Sequence, residues 1–114
     1  MSEVSMVEFP SSSASGSGDF FREVFGWDPT PYGPQYVDVA CGQDFSLGFQ
    51  QDVEEAPSAP LVVIRVADLV AAREKIESHG GRVTVEPFDF PGGRRFHFVE
   101  PGGNVLAVWV EIHQ

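Results

Sequence analysis

Arg95 and His97 stand two residues apart, so on an extended chain a guanidinium and an imidazole project from the same side. Such a pair can hold a carboxylate or phosphate and hydrogen-bond beside it, which is chemistry suited to binding. Arg94 falls on the other side of that strand, where solvent is the expected neighbour. Elsewhere Trp109 and Phe49 offer rings for stacking, Arg65 a second cation, and Glu8 and Glu111 carboxylates. Simpler roles compete for each. Trp109 fits ordinary core packing as well as ligand stacking. Arg65 suits an ion pair in so acidic a chain, Glu8 a solvated or salt-bridged strand position, and Glu111 a fraying end. His79 reads as a helix C-terminal residue favoured by the dipole, and the penultimate His113 as part of a disordered end. Cys41 lies beside a turn with no adjacent histidine, which fits an unreactive thiol better than a nucleophile.

The elements that must position these groups follow from periodicity. Phe96 and Phe98 alternate with Arg95, His97 and Val99, the period-2 pattern of a strand between unlike environments. Pro101-Gly102-Gly103-Asn104 supplies turn chemistry, and the almost wholly apolar residues 105–112 predict a second strand covered on both sides. Upstream, residues 5–9 predict a strand with Met6 and Glu8 on one face and Val7 and Phe9 on the other. The serine- and glycine-rich residues 11–18 read as a loop. Asp19 is expected to cap a short helix that ends at Gly26, and prolines 29, 31 and 34 prevent another helix from starting. Residues 36–40 and 45–50 predict a hairpin around Cys41-Gly42-Gln43-Asp44.

Residues 51–60, acidic and proline-containing, read as an internal linker. Residues 61–66 predict a strand, and Asp68 caps a helix with Leu69, Ala72 and Ile76 as its buried stripe, stopped at His79-Gly80-Gly81. Residues 82–87 predict a further strand before the closing hairpin. Each half thus reads strand, helix, then two or three strands, an α+β architecture with a degenerate internal duplication.

Composition narrows the partners. A chain of 114 residues is one domain, expected to bury roughly 65% of its unfolded surface. The single cysteine excludes an intrachain disulfide framework and fits a reducing cytoplasm. No charged-then-apolar leader and no apolar run near the length of a membrane span is present. A formal net charge of −10 makes nucleic acid and anionic membranes poor partners.

Three spaced segments, FFREVFGW at residues 20–27, VADLVAAREKIESHGGRV at 66–83 and RFHFVEPGGNVLAVW at 95–109, resemble the vicinal oxygen chelate superfamily. This is the glyoxalase, bleomycin-resistance and extradiol-dioxygenase group. The resemblance implies a single domain over residues 1–114 built from two βαβββ modules, 1–50 and 61–114, joined by the 51–60 linker. Each module would form a curved mixed sheet around a cup, and chains of this length would pair as homodimers. Fold alone does not fix function, since the group includes lyases, isomerases, dioxygenases and drug-binding proteins.

The resemblance also implies where a catalytic metal would be held. The corresponding positions are Met6, Leu61 and Ala107, where metal-dependent members carry two histidines and a glutamate. A thioether is a poor ligand for the divalent ions concerned, and leucine and alanine supply no donor. A shifted set of Glu8, Glu111 and His97 is the less favoured alternative. In the expected faces, Val105, Ala107, Trp109 and Glu111 look into the cup with Leu61, Val63 and Arg65. Leu106, Val108, Val110 and Ile112 then pack under the helices, as do Val62, Ile64 and Val66. The resemblance places the His97 position near bound substrate in some members. Arg65, Arg95, His97, Trp109, Phe49 and Glu8 are therefore the expected ligand-binding residues of a metal-free, small-molecule-binding homodimer that sequesters or senses a planar or anionic molecule. No cofactor is expected, and a divalent metal serving a lyase, isomerase or dioxygenase is the alternative.

Overall fold

A computed structural model describes residues 2–112, so His113 lies outside the described residues. The described residues form two helices and eight strands in the order β1 (Glu3–Pro10), α1 (Ala14–Phe25), β2 (Asp28–Pro31), β3 (Tyr36–Gly42), β4 (Phe45–Gln50), β5 (Leu61–Arg65), α2 (Leu69–Ser78), β6 (Arg82–Phe90), β7 (Gly93–Val99) and β8 (Val105–Glu111). The α+β class and the twofold βαβββ pattern expected from the sequence are both present. The chain divides into two compact units, Ser5–Leu61 and the described residues of Met1–Val4 with Val62–Gln114, called here the N-terminal and C-terminal units.

In the N-terminal unit the strands lie in the order β2, β3, β4, β1. β1 runs parallel to β4, and β3 is antiparallel to both β2 and β4. Sequence parity decides the faces. Phe9, Phe49, Val37 and Val39 fall on the side covered by α1, where Val37, Val39, Phe49 and Ala14 are buried and Phe9, Phe21, Trp27 and Leu47 pack around them. Phe49 stacks on Phe9 at 5.5 Å and on Phe21 at 5.4 Å. The expected role of Phe49 as part of a binding wall is thereby corrected: the ring is core beneath α1.

The start of α1 is a second correction. Ser13, not Asp19, caps it, its hydroxyl accepting from the Gly16 N–H at 3.1 Å. The Ala14 N–H donates to Gln51 Oε1 at 2.9 Å, a partner far along the chain. Gly18 is buried against β2 and β3, where a Cβ would meet Val37 Cγ1 at 2.9 Å. Residues 14–18, read as part of a loop over 11–18, are therefore helical because small side chains let the helix lie directly on the strands. The other end follows expectation, with Gly26 in the left-handed region at φ 71° and its N–H donating to the Arg22 carbonyl. β2 was not anticipated; Asp-Pro-Thr-Pro forms a strand only at a position where a missing N–H does no harm, pairing with β3 alone.

The C-terminal unit repeats the order as β6, β7, β8, β5, with β5 parallel to β8 and β7 antiparallel to β6 and β8. Asp68 caps α2 by accepting from the Ala71 N–H at 3.0 Å, and His79 ends it, both as expected. Phe96, Phe98 and Val108 are buried beneath Leu69, Ala72 and Ile76 of α2, with Val66, Val83 and Leu106 beside them. Helix-facing and opposite residues on β7 and β8 are thus those that alternation assigned, except that Ile112 is exposed and lies beyond β8. β6 continues to Phe90, past the expected end at Pro87, through two irregularities of register.

The turn joining β7 to β8 is organised by one carboxylate. Glu100 accepts from the backbone N–H of Gly102 at 2.7 Å and of Asn104 at 3.0 Å, and from the Asn104 side-chain amide. These donors hold its carboxyl below the usual range. Gly103 takes φ 97°, a value open to glycine and strained for most other residues.

Candidate functional site

On the face of the C-terminal sheet opposite α2, register sets Arg95 against Trp109 and His97 against Ala107 across β7 and β8. Side chains directly opposite on paired strands share a face. On the other flank Phe88 pairs with Arg95 and Val85 with His97, while Arg65 is the parallel partner of Trp109 on β5. Four strands therefore deliver Arg65, Trp109, Arg95, His97 and Phe88 to one surface.

The centre of this surface is a direct contact between its two most polar members. Arg95 Nε donates to His97 Nε2 at 3.1 Å. Because Nε2 accepts, the ring is neutral and carries its proton on Nδ1. Burial and then the Arg95 charge push the His97 pKa down to about 4. The guanidinium lies 5.6 Å from the Phe88 ring centre and 5.9 Å from that of Phe90, within cation–π range. Phe88 also leans on His97 at 6.0 Å and Phe90 on Trp109 at 5.8 Å. An aromatic bracket thus fixes a cation and a neutral imidazole side by side.

Gly93 makes room for part of the bracket. A Cβ there would meet Trp109 Cε3 at 2.9 Å, Phe90 Cζ at 3.2 Å and the Val110 carbonyl oxygen. The indole can consequently lie across β7. Two other arginines of these strands meet carboxylates: Arg65 forms an ion pair with Glu3, and the half-exposed Arg94 pairs with Asp89 at 2.8 Å. Ala107, opposite His97 on β7 and Val63 on β5, is fully buried.

The N-terminal unit has its own polar face, opposite α1. Glu8 is 5% exposed and accepts from the Tyr36 hydroxyl at 3.0 Å, with the Met6 sulfur 3.7 Å from the same oxygen. Gly48 lies beneath that hydroxyl, where a side chain would collide with it. Burial raises the Asp38 pKa, offset in part by the Ser46 hydroxyl on the next strand. Glu8 is thus a buried, hydrogen-bonded side chain, which rules out the solvated strand position but not the salt-bridged one among its simpler readings.

Of the residues expected from sequence, Arg95, His97 and Trp109 come together, Arg65 lies beside Trp109, Glu8 belongs to the N-terminal unit's polar face, and Phe49 to its core. Phe88, Phe90 and Tyr36 were missed. The signal for the first two was available in the alternation Phe88, Asp89, Phe90, had the strand been continued through Pro87. Cys41, whose thiol donates to the Phe45 carbonyl and is pushed to higher pKa mainly by burial, has the character of an unreactive side chain.

The residues at the metal positions do not fit a divalent ion. Met6 offers only a thioether turned to the Tyr36 hydroxyl, and Leu61 and Ala107 are buried with no donor atom. The imidazole nitrogen His97 Nε2 already accepts from a guanidinium, a cation that would oppose any metal bound there. Among the described residues no three histidine, cysteine or carboxylate side chains gather into a potential metal site.

Comparison with known proteins supports the architecture. The chain resembles the hypothetical protein BH1468 from Bacillus halodurans C-125 with TM-score 0.80 at 11% identity, covering 99% of this chain and 96% of that one. Methylmalonyl-CoA epimerase from Mycobacterium tuberculosis aligns with TM-score 0.74 at 15% identity over 96% and 88% of the two chains. The Mn(II)-bound glyoxalase from Novosphingobium aromaticivorans aligns with TM-score 0.70 at 18% identity, over 96% of this chain and 40% of that one. No curated protein matches the sequence. The family model for the Glyoxalase/Bleomycin resistance protein/Dioxygenase superfamily matches residues 4–108, and the chain belongs to that superfamily.

Proposed function

We propose that the protein binds a small planar or anionic molecule without a metal ion, sequestering or sensing it on the Arg95–His97–Trp109 face. The observation that carries this reading is the Arg95 Nε to His97 Nε2 hydrogen bond within the aromatic bracket. It turns the imidazole into a neutral hydrogen-bonding group beside a fixed cation, an arrangement suited to recognising an anion attached to a flat apolar body. The rings of Trp109, Phe90 and Phe88 supply apolar surface, and Arg95 and His97 supply direction.

The protein is proposed to act as a cytoplasmic homodimer, with no affinity for nucleic acid or membranes. Its net charge of −10 opposes polyanionic partners, and among the described residues no helix is long and apolar enough to cross a membrane. The competing reading is a metal-dependent lyase, isomerase or dioxygenase with unfamiliar ligands, as the fold it shares with a Mn(II)-bound glyoxalase would allow. Elemental analysis of protein purified without added ions separates the two. Less than a tenth of an equivalent of any divalent metal per chain is expected; one tightly held equivalent, lowered by His97→Ala, would establish the competing reading.

A further inference from the structure

The two nitrogens of the imidazole on the proposed binding face have different neighbours. Arg95 Nε donates to His97 Nε2, and burial with the Arg95 charge keeps the ring neutral at pH 7, so its proton sits on Nδ1. The cross-strand neighbours of His97 are Val85 on β6 and Ala107 on β8, and Val99 follows it on the same side of β7. None of these side chains can accept a hydrogen bond. Among the described residues no buried side-chain nitrogen or oxygen lacks a hydrogen-bond partner, and no hydrogen bond of the half-buried His97 there involves Nδ1. That N–H therefore reaches solvent, on a ring that the Phe88 ring flanks at 6.0 Å.

Resting on the binding function proposed above, we infer that Arg95 is a positioning residue that fixes His97 as a hydrogen-bond donor, so that the face selects flat ligands presenting a lone-pair acceptor over those presenting a donor hydrogen. A guanidinium has no acceptor atom, so an imidazole bonded to it must turn a lone pair towards it and its own N–H away. A histidine able to exchange tautomers would serve donors and acceptors alike. Held by Arg95, His97 offers a ligand one N–H and no lone pair, and a ligand N–H set against it would give up its hydrogen bond to water without a replacement. Only the Nε–H of Arg95 is needed for this, whatever its other nitrogens bind.

The test compares two uncharged bicycles of the same size, benzoxazole, which only accepts, and indole, which only donates, in NMR titrations of the full chain at pH 7, with 2-naphthoate as the probe of binding itself. Benzoxazole is expected to bind about threefold to tenfold more tightly than indole, the range of a neutral hydrogen bond, and the imidazole nitrogen shifts should place the His97 proton on Nδ1. Arg95→Met, which has no donor, should move that proton towards Nε2 and remove the preference. Arg95→Lys, which like arginine only donates, should keep the proton on Nδ1 and part of the preference. A His97 proton on Nε2 in the unmodified protein, a preference that survives Arg95→Met, or an Arg95→Lys protein that behaves as Arg95→Met overturns the inference. Equal binding of the bicycles, tighter binding of indole, or binding of neither overturns it too, while saturable binding of 2-naphthoate leaves the binding function standing. If none of the three binds at millimolar concentration, both fail. Should either variant not fold by circular dichroism, the proton position and the ligand ratio in the unmodified protein decide the matter.

Discussion

His97 stands in an environment unlike that of an ordinary surface histidine. Its pKa, pushed to about 4 from 6.5, means that the unfolded chain takes up a proton in a window where the folded chain does not. The neutral ring's contribution to stability is complete above about pH 6.5 and is lost as pH falls towards 4. Thermal melts at stepped pH should show the unmodified protein losing stability across that window more steeply than His97→Gln, which cannot titrate. Equal slopes would mean that the ring titrates normally in the fold. Gly93→Ala tests the neighbouring constraint: a Cβ at that position collides with Trp109, so indole fluorescence in a Trp27→Phe background should shift while circular dichroism keeps its folded signature. The identity of this pair of residues was legible in sequence because Arg95 and His97 share one strand and one parity. Their mutual hydrogen bond was not, since it depends on rotamers fixed by Phe88 and Phe90 from another strand.

At the level of elements, reading succeeded where a local signal and a tertiary one agreed. α2 shows this: Asp68 caps it, an apolar stripe covers Phe96 and Phe98, and glycines follow it. β4 was read to its terminal residues, and the β7–β8 turn is held by Glu100 in the way its sequence invites. α1 misled because its first turns contain glycine and serine, weak helix formers whose helical state comes from lying on β3 and from Gln51. Ser13→Ala should lower stability by about 1 kcal/mol by removing the cap. Asp19→Ala, which removes only an exposed ion pair with Arg22, should cost less in the same denaturant titration. The reverse ranking would place the helix start back at Asp19. Phe49 was misassigned although Phe45, Leu47 and Phe49 alternate with Ser46, Gly48 and Gln50; that parity sends the apolar set to the helix side.

The whole molecule consists of one pattern used twice, with the strand order β2, β3, β4, β1 matched by β6, β7, β8, β5. The two units differ on the faces away from their helices, one presenting Glu8, Tyr36 and Asp38 and the other Arg95, His97 and Trp109. Each keeps a glycine beneath an aromatic side chain from elsewhere in its own sheet, Gly48 under Tyr36 and Gly93 under Trp109. Family membership was legible from three short segments that carry a helix stripe, its glycine stop and the Glu100–Asn104 turn. The ligand was not, because it depends on how face residues are charged and paired. The most direct test is tryptophan fluorescence of the Trp27→Phe protein titrated with 2-naphthoate before and after exhaustive chelation. Saturable quenching of Trp109 that is unchanged by chelation is the expected result. Quenching that disappears on chelation and returns with added Mn²⁺ or Zn²⁺ would contradict a metal-free binding face.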